Sequence, residues 1–143
     1  MRKSLSRPVV VLLLFVVQFL PLVIFPRSSY APTTQEWWLP VLISAMSLIA
    51  SLQLLVRYRP VMWPWYILNF AQGTNIISRL MLLMPHASLN VEGRIRLNVP
   101  YVTVTFVAIL LSAFYIWYFE LVEVRRTVAA GFGRDRTGGE TAA

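Results

Sequence analysis

Four long apolar segments follow one another along the chain, at about residues 8–25, 39–56, 61–84 and 99–119. A helix rises about 1.5 Å per residue, so each segment can cross about 30 Å of hydrocarbon, with some local thinning for the two shorter ones. A soluble bundle would carry a polar stripe on every helix, and these segments do not. The pattern predicts an all-α fold, an integral membrane four-helix bundle with short loops.

The first segment admits a second interpretation. Arg2 and Lys3 precede an apolar run that ends near Ala31, as in a cleaved signal peptide that would leave three helices. The apolar run is long for a signal peptide, and Pro32 would directly follow the cleavage site. We therefore interpret the first segment as a retained signal anchor.

The composition is also typical of a membrane protein, with 57% hydrophobic and 13% charged residues, against about 45–50% and about 25% in soluble domains. In a soluble protein, the net charge of +7 would suggest binding to nucleic acid. Here the basic residues cluster in loops and at the chain ends, which favours anionic lipids and no nucleic acid. The absence of cysteine excludes disulfides, thiolate nucleophiles and cysteine-bound groups, and we expect no cofactor.

The basic residues predict the orientation, because cytoplasmic loops of membrane proteins are enriched in Lys and Arg. Most of them fall on one side of a four-span topology, namely Arg2, Lys3, Arg7, Arg57, Arg59, Arg125, Arg126, Arg134 and Arg136. Both termini are therefore expected in the cytoplasm, and a bacterial inner membrane is the default location. The residues expected to contact anionic lipid are Arg7, Arg57, Arg59, Arg125 and Arg126.

The connections are short. Residues 57–60 alone join the second and third spans, which must then be antiparallel neighbours. Residues 91–99 alternate apolar and polar around Gly93, a pattern of extended chain. We favour an ordered loop there over a strand edge offered to a partner, because so short a strand is marginal alone. Residues 1–126 form the transmembrane domain, and residues 127–143 a flexible cytoplasmic tail.

The third segment carries a polar stripe of Asn69, Gln72, Asn75 and Arg79, which fall within about 120° of arc at about 100° per residue. The simpler interpretation is adhesion, in which these side chains hydrogen-bond across the bundle. The alternative is a binding site in which Arg79 holds a carboxylate, a phosphate or a polarised carbonyl. A third interpretation is that Arg79 snorkels to the outer headgroups.

A buried arginine needs a partner, and only Glu36 and Glu92 lie on the same side of the membrane as Arg79. We therefore expect an ion pair between Arg79 and one of them. Small residues at helical spacing, such as Ser47 and Ser51, predict close helix packing. His86 is the one histidine and could ligate a metal or pigment, but a lone interfacial histidine is usually no ligand, and we expect no metal site.

The sequence shows no nucleotide loop, metal cluster, nucleophile–base set or pair of intramembrane carboxylates, so we expect no enzyme. It predicts a non-catalytic small integral membrane protein, an accessory or scaffolding subunit of a larger membrane protein complex, with lipids and other membrane subunits as partners. The alternative is a small carrier, channel, or lipid- or quinone-binding protein that uses the polar stripe for a small-molecule ligand.

Overall fold

A computed structural model of the chain describes residues 7–25, 37–56, 61–91 and 94–130. Apart from one short hairpin, it is helical, which confirms the all-α class. The helices are α1 (Pro8–Val17), α2 (Leu20–Val23), α3 (Trp38–Leu55), α4 (Trp63–His86), α5 (Val99–Glu120) and α6 (Val122–Ala130), and the strands are β1 (Ser88–Val91) and β2 (Arg94–Leu97). The first predicted segment corresponds to α1 and α2 together. The other three predicted segments correspond to α3, α4 and α5.

Among the described residues, α3 and α5 are each long enough and apolar enough to cross a membrane. The apolar stretch Pro8–Val23 is shorter, and α4 is long but carries polar residues. Two helices can thus cross a membrane by length and composition. The prediction of four membrane-crossing helices stays a prediction.

Prolines mark where three helices begin. Pro8, Pro64 and Pro100 each occupy the first turn of α1, α4 and α5, where a missing N–H leaves no helical hydrogen bond unmade. Asn98 caps α5, since its Oδ1 accepts from the Tyr101 N–H at 3.4 Å. Its Nδ2 donates to the carbonyl of His86 at 3.3 Å, which ties the end of α4 to the beginning of α5.

The first apolar segment is broken between α1 and α2. Gln18 and Phe19 form a turn, and Pro21 has no N–H to donate to the preceding turn. The N–H of Leu22 bonds to the carbonyl of Phe19 at 3.1 Å rather than to that of Gln18. The break therefore takes the carbonyl of Gln18 out of the regular helical ladder and directs it at the neighbouring helix.

Side-chain contacts give the directions of the helices. Gln72 of α4 bonds to Gln18, and Asn75 bonds to Pro21, each across a separation of 54 residues, so α4 runs parallel to the first segment. Asn69 reaches Glu120, whereas Asn75 reaches Ser112 farther back along α5, so α4 and α5 are antiparallel. Helix α4 packs against α3, α5 and α2 and is the centre of the structure.

One end of the structure is filled by an aromatic core. The ring of Phe15 lies 5.6 Å from that of Phe119 and 6.1 Å from that of Trp65, both edge to face. Helix α6 closes this end, because its Val124 and Val128 are buried in the same cluster. The aromatic core consists of Val11, Phe15, Ala50, Leu54, Trp65, Leu68, Tyr115, Tyr118, Phe119, Leu121, Val124 and Val128.

Two local expectations differ from the structure. Residues 94–97 form strand β2, which pairs antiparallel with β1, rather than the ordered loop we favoured. Residues 94–97 are a paired strand because residues 88–91, just before them in the chain, supply the partner strand. At the other end, α6 runs past Arg126 to Ala130, with Val128 buried. Residues 131–143 of the predicted tail, and the predicted link at 57–60, lie outside the described residues.

Candidate functional site

Next to the aromatic core lies a cluster of buried polar side chains, which we call the polar seam. It is drawn from α3, α4, α5 and the break between α1 and α2. None of its members is more than 4% exposed. The polar seam consists of Gln18, Ser47, Ser51, Gln72, Asn75, Arg79 and Ser112.

Arg79 lies in the seam at 1% exposure and binds the end of the first segment. Its Nη2 donates to the carbonyls of Pro21 at 2.7 Å and Ile24 at 2.8 Å. The guanidinium carbon also lies 3.9 Å from the centre of the Phe25 ring, a cation–π contact. Arginine suits this position because its planar fork carries several donors in a fixed geometry.

Asn75 connects three helices. Its Nδ2 donates to the carbonyl of Pro21 at 2.9 Å and to the hydroxyl of Ser112 at 2.8 Å. Its Oδ1 accepts from Nε of Arg79 at 3.0 Å, one turn later on α4. Asn75 therefore holds the guanidinium in position while it binds the first segment and α5.

Gln18 and Gln72 form the middle of the seam. Nε2 of Gln72 donates to the backbone carbonyl of Gln18 at 3.1 Å. Nε2 of Gln18 donates to the hydroxyl of Ser51 at 2.7 Å, and that hydroxyl donates to the carbonyl of Ser47 at 2.7 Å. These contacts join the helical break to both α3 and α4.

The predicted polar stripe is divided by the structure. Gln72, Asn75 and Arg79 lie together in the seam, but Asn69 turns towards the end of α5, where its Nδ2 donates to Glu120 at 2.6 Å. Glu120 also pairs with Arg125 of α6 at 2.8 Å. Asn69 therefore belongs to a separate, partly exposed cluster beside the aromatic core.

The predicted acidic partners of Arg79, Glu36 and Glu92, lie outside the described residues, so that ion pair stays a prediction. The contacts found for Arg79 are instead with backbone carbonyls, an amide and a ring. Snorkelling does not describe this side chain, because it is buried and points at the first segment. The end of the first segment instead offers two carbonyl acceptors beside α4, and Arg79 binds both.

The other candidate residues lie apart from the seam. Arg7 and Arg126 are exposed, Arg125 pairs with Glu120 and donates to the carbonyl of Phe119 at 2.8 Å, and Arg57 and Arg59 lie outside the described residues. His86 has Nδ1 at 3.0 Å from the carbonyl of Leu82, and its ring stacks on Tyr101 at 5.2 Å. No group of three potential metal ligands occurs in the described part of the chain.

Sequence reasoning missed what the stripe binds. The targets are backbone carbonyls of Gln18, Pro21 and Ile24, and a carbonyl leaves no trace in a hydropathy pattern. A signal was present, because Gln18 and Pro21 interrupt an apolar run with the same spacing of three that separates Gln72 from Asn75. The sequence pattern also gives no sign that the hydroxyl of Ser112 is a hydrogen-bond acceptor of the seam.

Chemically, the seam is a set of neutral amides and hydroxyls around one guanidinium. It contains no carboxylate, imidazole or amine, so its own residues cannot form an acid–base pair. Its hydrogen bonds run between helices and hold backbone groups.

Comparisons of the chain with protein-family models, with curated proteins and with solved structures give no match.

Proposed function

We propose that the chain is a multi-pass membrane protein that serves as a non-catalytic subunit of a larger membrane assembly. The observation that carries the proposal is the seam itself, whose amides and guanidinium bind the protein's own backbone. A side chain that holds a broken helix in place acts in folding, whereas a carrier would direct the same groups into an open path.

The distribution of apolar and polar side chains supports the proposal that the protein lies in a membrane. The exterior carries large apolar residues all round, among them Leu13 at 60%, Ile49 at 61% and Phe70 at 60% exposure. The interior holds Gln72, Asn75 and Arg79. A soluble protein has the reverse arrangement, since exposed apolar patches beyond a few hundred Å² are rare on monomers.

The helix directions support four crossings. The first segment and α4 run the same way, and α5 runs the opposite way, as an up-and-down bundle requires. With the exposed Arg7 and Arg126 near the two ends of the described chain, both termini fall on one side. Under the positive-inside rule that side is the cytoplasm, and a bacterial inner membrane is the location we propose.

A subunit needs a surface for its partner, and the outward face of α4 is our candidate. Tyr66, Phe70, Ile77 and Met81 are each at least 60% exposed there. Gly73 lies between them, and a Cβ placed on it would meet no atom within 4 Å. Aromatic and Met side chains are enriched at interfaces, and a glycine lets a second membrane helix approach closely.

The test begins with gentle extraction of the C-terminally tagged protein from its native membrane, followed by native mass spectrometry and an absorption spectrum. Stoichiometric partner proteins are expected. The variant Gly73→Leu should release them while the isolated chain stays folded, since a Cβ at this position meets no other part of the chain within 4 Å. A matched control is Leu13→Ala on the outward face of α1, which should leave the complex intact. A purified monomer without partners would contradict the proposal.

The second candidate is a lipid- or quinone-binding protein. It is favoured by an apolar cavity of about 210 Å³ between α4 and α5, lined by Leu80, Leu83, Val102, Thr105, Phe106 and Ile109. Such a cavity suits an acyl or isoprenoid tail. If the purified chain retained one small molecule stoichiometrically, and Phe106→Trp expelled it without unfolding the protein, this candidate would replace the first. Loss of that ligand in Arg79→Leu, with the fold intact, would return the polar stripe to a binding role.

A further inference from the structure

Three buried side-chain oxygen atoms of the seam have no hydrogen-bond partner among the residues that the structure describes. They are Oε1 of Gln18, Oε1 of Gln72 and Oγ of Ser47. All three residues are 0% exposed. Buried acceptors are normally satisfied by protein or by ordered water, because the protein interior offers no other compensation for lost hydration.

These atoms belong to residues that hydrogen bonds join around the helical break. The carboxamide of Gln18 is fixed by its Nε2, which bonds to Ser51 and to the carbonyl of Phe15 at 2.9 Å. The carboxamide of Gln72 is fixed by its bond to the backbone of Gln18. Ser47 lies one turn before Ser51 on α3, and its carbonyl accepts a hydrogen bond from the Ser51 hydroxyl. Each amide nitrogen is therefore used within the protein, and each amide oxygen is left on the same small cluster.

We propose that the seam holds an internal water molecule between the helical break, α3 and α4. The water donates one hydrogen to Oε1 of Gln18 and the other to Oε1 of Gln72, and it accepts the hydroxyl proton of Ser47. This set of two acceptors and one donor matches a buried water, which typically makes about three hydrogen bonds. The water would complete the hydrogen bonding of these three oxygen atoms.

Water fits this site better than a cation. Both amide oxygens could in principle face a monovalent ion, but the guanidinium of Arg79 lies only seven residues after Gln72 on α4, about 10 Å along the helix. Repulsion between two positive charges is strong in a low-dielectric interior. The proposal does not depend on the membrane or on a partner subunit, because it rests on contacts inside the chain.

The test is solution NMR of the full chain in lipid nanodiscs, with isotope labels on glutamine side chains. Cross-relaxation between water and the Nε2 protons of Gln18 and Gln72 should have the sign of a long-lived bound water. The signal should disappear in Gln72→Met and weaken in Ser47→Ala. It should persist in Ser112→Ala, a matched seam variant whose hydroxyl contacts Asn75 instead.

Two results would overturn the proposal. One is the absence of the water signal from wild-type protein whose spectrum is otherwise well dispersed, and the other is its persistence in folded Gln72→Met. Exchange of sodium chloride for choline chloride provides a further arm. Shifts of the Gln18 and Gln72 resonances that require sodium would assign the site to a cation and end the case for water.

Discussion

The aromatic core and the polar seam lie side by side in one set of helices, yet different interactions hold those helices together in the two regions. In the aromatic core, Phe15, Trp65 and Phe119 meet edge to face, and the contacts depend on volume and shape. In the polar seam, Asn75 and Arg79 bond to particular atoms of Pro21 and Ser112. The aromatic core therefore stabilises the helices by filling space, whereas the polar seam fixes which atoms of neighbouring helices meet.

The difference has a consequence for tolerance to change. A core of rings and aliphatic groups accepts apolar replacements of similar volume at a cost below about 1.5 kcal/mol. A seam residue has no such replacement, because an apolar side chain of equal size leaves its buried partner without a bond, at about 1–3 kcal/mol per group. Substitutions that conserve volume should therefore separate the two regions.

The largest effect is expected from Phe15→Ala in the aromatic core. Removing the ring leaves a cavity against Trp65 and Phe119, and such truncations lower the free energy of unfolding by about 3–5 kcal/mol. Phe15→Leu should restore most of the loss. Reversible unfolding in mixed lipid and detergent measures both, and equal losses in the two variants would show that volume does not govern this region.

Arg79→Leu comes next, with an expected loss of about 3 kcal/mol. It leaves the carbonyl of Ile24 and Oδ1 of Asn75 without the donor, and the carbonyl of Pro21 keeps only its bond from Asn75. Removal of a buried charge offsets part of that cost. Arg79→Lys keeps the charge but loses the planar guanidinium, so its free energy of unfolding should lie between those of Arg79→Leu and the wild type. Wild-type stability in Arg79→Lys would mean that charge alone matters, as snorkelling would require.

Gly73→Ala should raise the free energy of unfolding by about 0.5–1 kcal/mol, because Gly73 is helical and a Cβ there meets no atom within 4 Å. The position lies between the exposed Phe70 and Ile77 on the outward face of α4. A loss of stability in the isolated chain would show that this face is packed within the molecule, and the division of α4 into a polar inner face and an open outer face would be wrong.

The smallest effect is expected from Glu120→Gln, at about 0.2–1 kcal/mol. Glu120 accepts from Asn69 and pairs with Arg125, but its side chain is 56% exposed, so solvent screens the pair. Glutamine keeps an acceptor for Asn69. A loss as large as that of Arg79→Leu would show that polarity, rather than burial, sets the strength of polar contacts in this protein.

The sequence was sufficient for much of the fold. Long apolar runs gave the positions of α3, α4 and α5 within a few residues, since hydrophobic length is a strong signal. It also singles out Gln72, Asn75 and Arg79, together with Asn69, as one polar stripe, because polar residues at helical spacing in an apolar helix share a face.

The rest depended on tertiary contacts. The pattern of α4 could not separate Asn69 from the other stripe residues, because that division is made by Glu120, far away in sequence. Nor could it give the partners of Arg79, which are backbone carbonyls exposed by a break in another helix. The extended alternation at 94–97 was visible, but its pairing needed the register with β1.

The break at Gln18 also sets an order of events during synthesis. Its carbonyl bonds to Gln72, which leaves the ribosome 54 residues later. At about 5–20 residues per second, the first segment waits about 3–10 s before its partner is made. If the first segment crosses a bilayer, as we propose, this carbonyl has no water to bind until α4 is made. The length of chain between the broken helix and the helix that binds it therefore sets the delay before this contact can form.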